Sequence, residues 1–305
     1  MIKTSLPPLR QFLRRMRSRE FPLALIVGAQ RSGTTWLQML CAAHPRLAGG
    51  EESHLFSHYL GNLSNRYNAD LYAQDTLPRP QGLPCFLTID EWTSLMRQMA
   101  VGVLEKLVIA KPQAKLVVEK TPDHVQHLDL ARTLFPNCRI LHIVRDGRDV
   151  VVSQMEASRR KWGETWAASD ATEGATRWAS WVESARKYRH PEALYHEVRY
   201  ENLLNDGPAM LRDVYAFLGV PLPRSEIETI YRQFPIEACR DESAPQVLLR
   251  LGEIAHQPVK PTAAGFFRAG QAGGWHTALS DEERSSVEEV AGGMLRELGY
   301  ITARE

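Results

Sequence analysis

Cysteine is scarce in this 305-residue sequence, and its spacing excludes two classes of protein. The four cysteines form no C-x-x-C pair and have no histidine at metal-ligand spacing beside them; they are Cys41, Cys85, Cys138 and Cys239. Scattered thiols of this kind argue against a disulfide-stapled secreted domain and against a structural zinc site. We therefore expect buried free cysteines in a reducing compartment, which predicts a cytoplasmic protein.

Long apolar runs and an excess of one charge are also missing. No stretch is long enough to cross a membrane, and Leu23–Val27 is too short for the apolar core of a signal peptide. The net charge is +1, which argues against a nucleic-acid partner. Residues 1–20 are rich in arginine and are predicted to be a solvated basic extension of a domain over 21–305, with adhesion to an anionic membrane surface as the alternative.

The strongest positive signal is a strand, a glycine-bounded turn and a helix start in succession. The apolar run Leu23–Val27 predicts a buried strand that breaks at Gly28, and a helical pattern begins near Thr34. Backbone N–H groups and the positive end of the helix dipole meet at such a turn and form an anion site. The spacing from Gly28 to Gly33 is that of a P-loop, but its lysine is absent and the nearest cation is Arg31. The turn therefore predicts a phosphate-like ligand other than the triphosphate of ATP, with an ordinary Gly/Ser turn as the alternative.

A second arginine follows the most strongly predicted strand. Residues 139–144 are mostly apolar, as in a central parallel strand, and they lead through Arg145 into a helix that carries Ser153. A guanidinium at a strand tip can make a bidentate pair with a phosphate, and a nearby hydroxyl can add a donor. A local network of ion pairs within residues 145–149 is the alternative, and the sequence leaves it open.

Acidic residues and histidines follow two further predicted strands. A strand over 115–118 leads into polar residues 119–124, and a strand near Leu47 leads to the pair Glu51 and Glu52 beside His54. Open parallel sheets place their sites at the carboxyl ends of strands, which makes these groups candidates for acid–base chemistry. The alternative is that the two glutamates are solvated at a helix start, where acidic side chains are favoured.

The remaining pattern predicts one α/β domain with a central parallel sheet flanked by helices. Residues 61–87 are predicted to be irregular, and residues 194–198 a strand. Helices are expected over 88–108 with Thr88 or Asp90 as N-cap, and over 123–134, 171–189, 208–218 and 281–297. The last of these begins behind Ser280 and carries Glu283, the spacing of a capping box.

Four segments, in order, resemble the sulfotransferases that use 3′-phosphoadenosine 5′-phosphosulfate (PAPS). Residues 30–36, Gln-Arg-Ser-Gly-Thr-Thr-Trp, resemble the family's loop for the 5′-phosphosulfate, and Arg145 to Ser153 its segment for the 3′-phosphate. Tyr200 resembles the position near the adenine, and residues 267–270 the C-terminal segment that closes over the 3′-phosphate. In that last segment Ala269 replaces the usual lysine and Gly274 the usual aspartate. The resemblance implies a P-loop-like fold and a donor site formed by Gln30, Arg31, Ser32, Gly33, Thr34, Thr35, Trp36, Arg145, Ser153, Tyr200, Phe267, Arg268, Ala269 and Gly270.

The resemblance also implies a PAPS-dependent O-sulfotransferase. It would transfer a sulfuryl group in line to a hydroxyl of a small-molecule, lipid or carbohydrate acceptor and release 3′-phosphoadenosine 5′-phosphate (PAP). Arg31 and Lys120 would stabilise the charge that develops, and Trp36 would stack on the adenine. No metal is required for this chemistry.

The general base is inferred from two local matches. Lys120-Thr121 is followed by Pro122 where cytosolic sulfotransferases have a catalytic histidine, which weighs against that mechanism. Residues 51–56 instead resemble the segment of carbohydrate-type enzymes in which a glutamate is the base, and the match falls on Glu52. Glu52 is therefore the predicted base, with His124 and His54 as reserves.

Two other functions remain as alternatives. A P-loop kinase or NTPase would share the strand, loop and helix but would need a lysine after Gly33, where Thr34 stands. A non-catalytic PAP-binding module would bind the nucleotide without transfer to any acceptor. The partner we expect is the hydroxyl acceptor, and a homodimer is an option that the sequence leaves open.

Overall fold

The structure is a computed structural model, and it describes residues 20–237, 247–252 and 270–302. The predicted basic extension therefore lies, except for Glu20, outside the described residues, and so does Cys239. Within the described ranges no helix combines the length and apolar character that crossing a membrane requires.

The described chain is built around a parallel sheet of five strands in the order β2-β3-β1-β4-β5. The strands are β1 Leu23–Val27, β2 Leu47–Gly49, β3 Leu116–Lys120, β4 Arg139–Val144 and β5 Tyr195–Arg199. Alternate residues of β1 face opposite sides, so that Leu23 and Leu25 pack into one apolar core and Ala24 and Ile26 into another. Because both faces are covered, the central strand β1 is apolar throughout and β4 is mostly apolar, and the predicted α/β class is confirmed.

Helices cover both faces of this sheet. They are α1 Thr34–Ala43, α2 Leu60–Ala73, α3 Ile89–Ala110, α4 Leu128–Leu134, α5 Gly147–Ser158, α6 Ala171–Arg186, α7 Tyr200–Asn205, α8 Gly207–Phe217, α9 Arg224–Gln233, α10 Trp275–Ala278 and α11 Asp281–Glu297. Helices α2, α3 and α4 share the core with Leu23 and Leu25, whereas α1, α8 and α9 cover the other face. Helices α5, α6 and α11 form a third apolar cluster beyond the end of β4.

Two helix starts agree closely with the predicted caps. The Thr88 hydroxyl accepts from the amide of Glu91, whose carboxylate accepts from the Thr88 amide, so Thr88 rather than Asp90 is the cap of α3. Ser280 and Glu283 form the same reciprocal pair at α11, which spans the predicted residues 281–297. Such boxes satisfy two otherwise unpaired donors at the start of a helix.

Residues 61–87 were predicted to be irregular, and this is wrong for their first half. Helix α2 extends to Ala73, and only two short 3₁₀ turns, Gln74–Thr76 and Leu83–Cys85, interrupt the remainder. The helix escaped prediction because its sequence is rich in asparagine, and of its residues only Leu60, Gly61 and Tyr67 are buried. Tyr67 holds it in place by stacking on Trp92 at 5.0 Å between ring centroids.

Two boundaries around β3 also differ from the prediction. Glu119 and Lys120 belong to the strand instead of following it, and the expected helix over 123–134 begins as a 3₁₀ segment, Pro122–His127, before α4. Proline fixes the backbone at the first position of that segment. The polar side chains of β3 therefore project from a hydrogen-bonded strand.

Candidate functional site

The loop between β1 and α1 depends on glycine at both ends. A Cβ at Gly28 would overlap the carbonyl oxygen of Ile143 on β4, and one at Gly33 would lie 2.6 Å from the Tyr200 ring. Gly33 has φ 95°, which glycine adopts without strain, and Arg31 between them has φ 76°. Gly33 is also the N-cap of α1, and no described side chain caps that helix. The loop thus presents backbone N–H groups at a helix start, which is the geometry of an anion site.

Two arginines from different elements meet beside this loop. Arg31 Nε donates to Ser153 Oγ at 3.0 Å, which ties the loop to helix α5. Arg145 follows β4 directly and donates to the Arg31 carbonyl at 3.2 Å and to the Gln271 carbonyl at 2.9 Å. Its guanidinium also lies 4.5 Å from the centre of the Tyr200 ring.

The alternative of a local ion-pair network is realised within residues 145–149, which form two ion pairs. Arg148 pairs with Asp146 at 2.8 Å and packs over Trp275 at 3.8 Å, so it is a buried structural pair. Asp149 accepts from the amides of Gly273 and Trp275, and Arg145 Nη2 lies 3.6 Å from it. Arg145 Nε has no hydrogen-bond partner among the described residues, which leaves a buried donor for a ligand.

Trp36 is buried in the wall behind the loop. Its side chain is 1% exposed, its Nε1 donates to the Phe234 carbonyl at 2.9 Å, and its ring meets Tyr200 edge-on at 5.8 Å. Tyr200 in turn donates through its hydroxyl to the Gly270 carbonyl. These two aromatic side chains therefore form one packed wall together with the end of β5.

A lysine from β3 joins the loop to the acidic residue predicted as base. Lys120 is buried, and its Nζ donates to Thr35 Oγ1 at 3.2 Å and to Glu52 Oε1. The Glu52 side chain is 38% exposed, so one side of the carboxylate is held while the other faces open space. The contact places a cation and a carboxylate side by side at the start of α1.

A buried carboxylate organises the turn that carries Glu52. Glu119 Oε1 accepts from Ser53 Oγ and from Thr121 Oγ1, both at 2.7 Å, and Glu119 Oε2 lies 2.8 Å from His124 Nδ1. Burial alone would raise the pKa of Glu119, but its interaction with His124 and the hydrogen bonds from Thr121 and Ser53 lower the pKa to about 2. The ionised Glu119 therefore anchors the turn that begins at Ser53.

His124 belongs to this buried network and not to the exposed surface. Its side chain is 0% exposed, and its Nε2 accepts from the amide of Phe56 at 3.1 Å. Both ring nitrogens thus face protein groups, and the imidazole fixes the backbone beyond Glu52.

The groups described above surround one cavity of about 540 Å³ at the carboxyl ends of the strands. Most of the predicted site residues line it: Gln30, Arg31, Gly33, Thr34, Thr35, Trp36, Glu52, Arg145, Ser153, Tyr200 and Gly270. Ser32, Lys120 and His124 are buried behind its wall. Phe267, Arg268 and Ala269 lie outside the described residues.

Sequence reasoning missed several residues at the other end of the cavity. Of the residues that line it beside Glu52 and His54, His58, Thr165 and Ile236 carried no prediction, whereas Asp123 belongs to the predicted polar segment 119–124. His58 follows His54 by four residues, which is a spacing found in metal sites and could have been noticed. The others come from segments with no local motif, so only the fold brings them to the cavity.

The cysteines have surroundings that keep them unreactive, apart from one. Burial raises the pKa of both Cys41 and Cys138 to about 12, and only Cys85 is exposed among the cysteines that the structure describes. The three described cysteines are free thiols; the burial expected of them holds for Cys41 and Cys138 but not for Cys85.

The sequence is similar to known sulfotransferases. A profile of the sulfotransferase family matches residues 22–224, more than half of the chain. The chain is 25% identical over 218 residues to protein-tyrosine sulfotransferase A of Caenorhabditis elegans, covering 67% of this chain and 51% of that protein. It is 26% identical over 310 residues to omega-hydroxy-beta-dihydromenaquinone-9 sulfotransferase of Mycobacterium bovis, covering 80% and 79%. The chain spans about half the length, or less, of the first tyrosine-type relatives.

Solved structures share the fold. The sulfotransferase domain from the curacin biosynthetic pathway has a TM-score of 0.57 at 17% identity, covering 91% of this chain and 98% of that one. A mouse sulfotransferase in complex with PAP has a TM-score of 0.54 at 16% identity, covering 95% and 91%.

Proposed function

This chain belongs to the sulfotransferase family, and we propose that it transfers a sulfuryl group from PAPS to a hydroxyl of an acceptor, with Glu52 as general base. The observation that carries the proposal is the bridge from Thr35 through Lys120 to Glu52. It joins an anion-binding loop to a half-exposed carboxylate across one cavity, which is what transfer from an anionic donor to a neutral hydroxyl requires.

The loop and β4 would hold the two ends of the donor. The amides at the start of α1, Arg31 and Lys120 suit the 5′-phosphosulfate, while Arg145 and Ser153 suit the 3′-phosphate. The fit is supported by buried polar atoms that have no partner among the described residues: Gln30 Oε1, Ser32 Oγ and Arg145 Nε. Tyr200 and Trp36 supply an apolar wall for the adenine.

Glu52 would accept the proton of the acceptor hydroxyl while its oxygen forms the new bond to sulfur. The bond between sulfur and the 5′-phosphate oxygen breaks, and its electron pair leaves with PAP. Arg31, Lys120 and the amides of the loop would stabilise that charge where it develops. Lys120 also holds one carboxylate oxygen of Glu52, which leaves the other free to meet the acceptor.

Replacing Glu52 by glutamine tests the assignment of the base. We expect Glu52→Gln to keep PAP binding and to lose sulfate transfer by about 10²–10⁴-fold, because an amide cannot take the proton. Labelled PAPS with the purified protein measures the transfer, and calorimetry with PAP measures the binding. Glu51→Gln is the matched control, since Glu51 is adjacent in sequence and does not line the cavity. Near-normal turnover in Glu52→Gln would reject Glu52 as the base.

The acceptor would enter between Glu52 and the segment that carries Thr165 and Trp166. This end combines an indole ring with hydroxyl and imidazole groups, so it suits a hydroxyl on an aromatic, lipid or sugar body. A screen of phenols, tyrosyl peptides, lipids and sugars with labelled PAPS would identify the class. Nucleotide binding without transfer across all four classes would favour a non-catalytic PAP-binding module.

A further inference from the structure

Two histidines and an aspartate converge on the acceptor side of the cavity. One nitrogen each of His54 and His58 and one carboxylate oxygen of Asp123 all lie within 4.8 Å of one another. We propose that these three side chains form a binding site for a divalent transition-metal ion such as Zn²⁺. Sulfuryl transfer does not require this ion, so the proposal stands independently of the proposed function.

The separations are those of ligands around a small metal ion. His54 Nδ1 lies 3.6 Å and His58 Nε2 lies 3.4 Å from Asp123 Oδ2. Zinc binds nitrogen and oxygen at about 2.0–2.2 Å, which places tetrahedral ligands roughly 3.3–3.6 Å apart. The two distances from Asp123 Oδ2 to the histidine nitrogens therefore match those between the ligands of a tetrahedral zinc ion.

Two atoms of the cluster are buried and have no hydrogen-bond partner among the described residues. They are His54 Nδ1 and Asp123 Oδ1. A buried polar atom without a partner is costly, and native proteins usually compensate it with water or an ion. His54 Nδ1 is one of the proposed ligand atoms, and Asp123 Oδ1 belongs to the carboxylate whose Oδ2 lies near both histidines, so an ion bound there would compensate the buried imidazole nitrogen and lie beside the second oxygen.

The backbone presents the ligands from two short, irregular helical segments. His58 lies in the π-helical turn Leu55–Tyr59, four residues after His54, and Asp123 lies in the 3₁₀ segment that follows β3. His54 has φ 49°, an uncommon conformation for a residue with a side chain. Single π-turns and such strained residues are frequent at functional sites.

Glu52 would support the site as a neighbouring carboxylate. Its Oε2 lies 3.8 Å from His54 Nε2, on the opposite side of the ring from the proposed metal. This distance is too long for a hydrogen bond, so the Glu52 oxygen is a charged neighbour of the imidazole and stays available to an acceptor hydroxyl. The ion would thus sit one imidazole away from the proposed base, with its remaining coordination position open to the cavity.

The two imidazole rings are stacked, and binding must separate them. Their centroids are 4.4 Å apart and their planes differ by 5°. Since a metal lies close to the plane of each ring that binds it, at least one ring must rotate about its side-chain bonds. The exposure of the His58 side chain, 64%, leaves room for that rotation.

The ligand set favours a borderline ion over a hard one. Two imidazoles and one carboxylate suit Zn²⁺, Co²⁺ or Ni²⁺, whereas Mg²⁺ and Ca²⁺ prefer oxygen ligands throughout. We therefore expect Mg²⁺ not to compete for the site.

Titration of Zn²⁺ into untagged protein without PAPS or acceptor tests the proposal. The protein should carry Cys85→Ser, because the exposed thiol is another zinc ligand. We expect one ion per chain. His58→Ala and Asp123→Asn should each lower the affinity for Zn²⁺ by at least ~10-fold, which is the smallest loss expected even for a residue that only supports a metal ligand. His276→Ala, which removes an exposed histidine elsewhere, should bind as the parent does.

The absorption spectrum of bound Co²⁺ provides a second readout, with bands of a nitrogen- and oxygen-ligated tetrahedral ion and none from thiolate. Absence of saturable binding, or equal binding in both ligand variants, would overturn the proposal. If thermal unfolding shows that one of the two ligand variants is not folded, the Zn²⁺ affinity of the other variant tests the proposal. Because no sulfate transfer is measured, failure here leaves the proposed function untouched.

Discussion

At the scale of single residues, Arg145 and Arg148 lie in one turn but differ in their contacts. Arg145 points to the loop and keeps a buried nitrogen without a described partner, whereas Arg148 is enclosed by Asp146 and Trp275. The sequence points to Arg145 as the ligand because it directly follows the strand, but it does not reveal that Asp146 and Trp275 enclose Arg148.

We predict that Arg145→Ala weakens PAP binding by about 10–100-fold, the value of a charge-assisted hydrogen bond of about 1.5–3 kcal/mol. Arg148→Ala should instead lower the free energy of unfolding by about 3 kcal/mol, because it leaves Asp146 buried and unpaired. Calorimetry with PAP and urea unfolding of both variants separate the two effects. Equal losses of affinity would contradict the assignment of Arg145.

His44 makes stability depend on pH. Its Nε2 donates to the Val220 carbonyl at 2.8 Å and its Nδ1 accepts from the Arg46 amide at 2.9 Å, an arrangement that only the neutral ring satisfies. Burial, together with the charges of Lys111 and Arg46, lowers the pKa of His44 to about 4 from its ordinary value of 6.5.

Between pH 6.5 and 4 the unfolded chain therefore binds a proton at this position that the folded protein does not. As the pH falls through that window, His44 alone should lower the free energy of unfolding by about 1.4 kcal/mol per pH unit, and its contribution should be constant above the window. Burial also lowers the pKa of His142, to about 3, which adds a slope of the same sign. Urea unfolding at several pH values measures the total slope. His44→Gln should reduce it by about 1.4 kcal/mol per pH unit, whereas the exposed His276→Gln should not; an unchanged slope in His44→Gln would refute the prediction.

At the scale of elements, the site depends on how the loop after β1 is closed. Gly33 has a positive φ and lies close to the Tyr200 ring. The loop therefore needs glycine there both for its backbone conformation and because a Cβ would not fit. The motif reveals that a glycine is needed there. It does not reveal that an aromatic ring from α7 lies against it.

We predict that Gly33→Ala lowers the free energy of unfolding by about 1–3 kcal/mol, because of backbone strain, and weakens PAP binding as the loop shifts. Gly293→Ala is the matched control: this glycine lies in helix α11 with open space around it. The control should be stabilised by about 0.5–1 kcal/mol. Thermal unfolding and PAP titration of both variants test this; unaltered binding in Gly33→Ala would contradict it.

The predictability of the elements follows from how they are stabilised. Strand β4 and helix α11 could be predicted because an apolar run and a capping box are local signals. Helix α2 could not, since Leu60 and Tyr67 hold it through contacts with other segments, among them the stacking of Tyr67 on Trp92 of α3. The start of α4 was misplaced because proline permits a 3₁₀ turn as readily as an α-helix.

At the scale of the whole molecule, the sheet order brings the site together. Strand β1 lies between β3 and β4, so the residues that follow these three strands meet at one edge. The loop after β1, Lys120 at the end of β3 and Arg145 after β4 therefore adjoin one another. The resemblance of four motifs identified most of the residues that line the cavity, but not their mutual contacts.

What the sequence could not provide is the acceptor end of the cavity. His58 and Thr165 are distant in sequence and belong to no predicted motif, and they line the same cavity only because the π-helical turn Leu55–Tyr59 and the segment after α5 both border it. Contacts of this kind depend on tertiary packing, which no local pattern encodes.

The measurement that tests the central claim most directly compares PAP, 5′-AMP and Mg·ATP by calorimetry on the same protein. If the cavity binds both ends of the donor, one PAP should bind per chain. Its affinity should be at least ~10-fold higher than that of 5′-AMP, because 5′-AMP lacks the 3′-phosphate that Arg145 and Ser153 would hold. Mg·ATP should bind more weakly than PAP. Equal affinity for PAP and 5′-AMP, or tighter binding of Mg·ATP, would contradict a PAPS site and support a P-loop nucleotide enzyme instead.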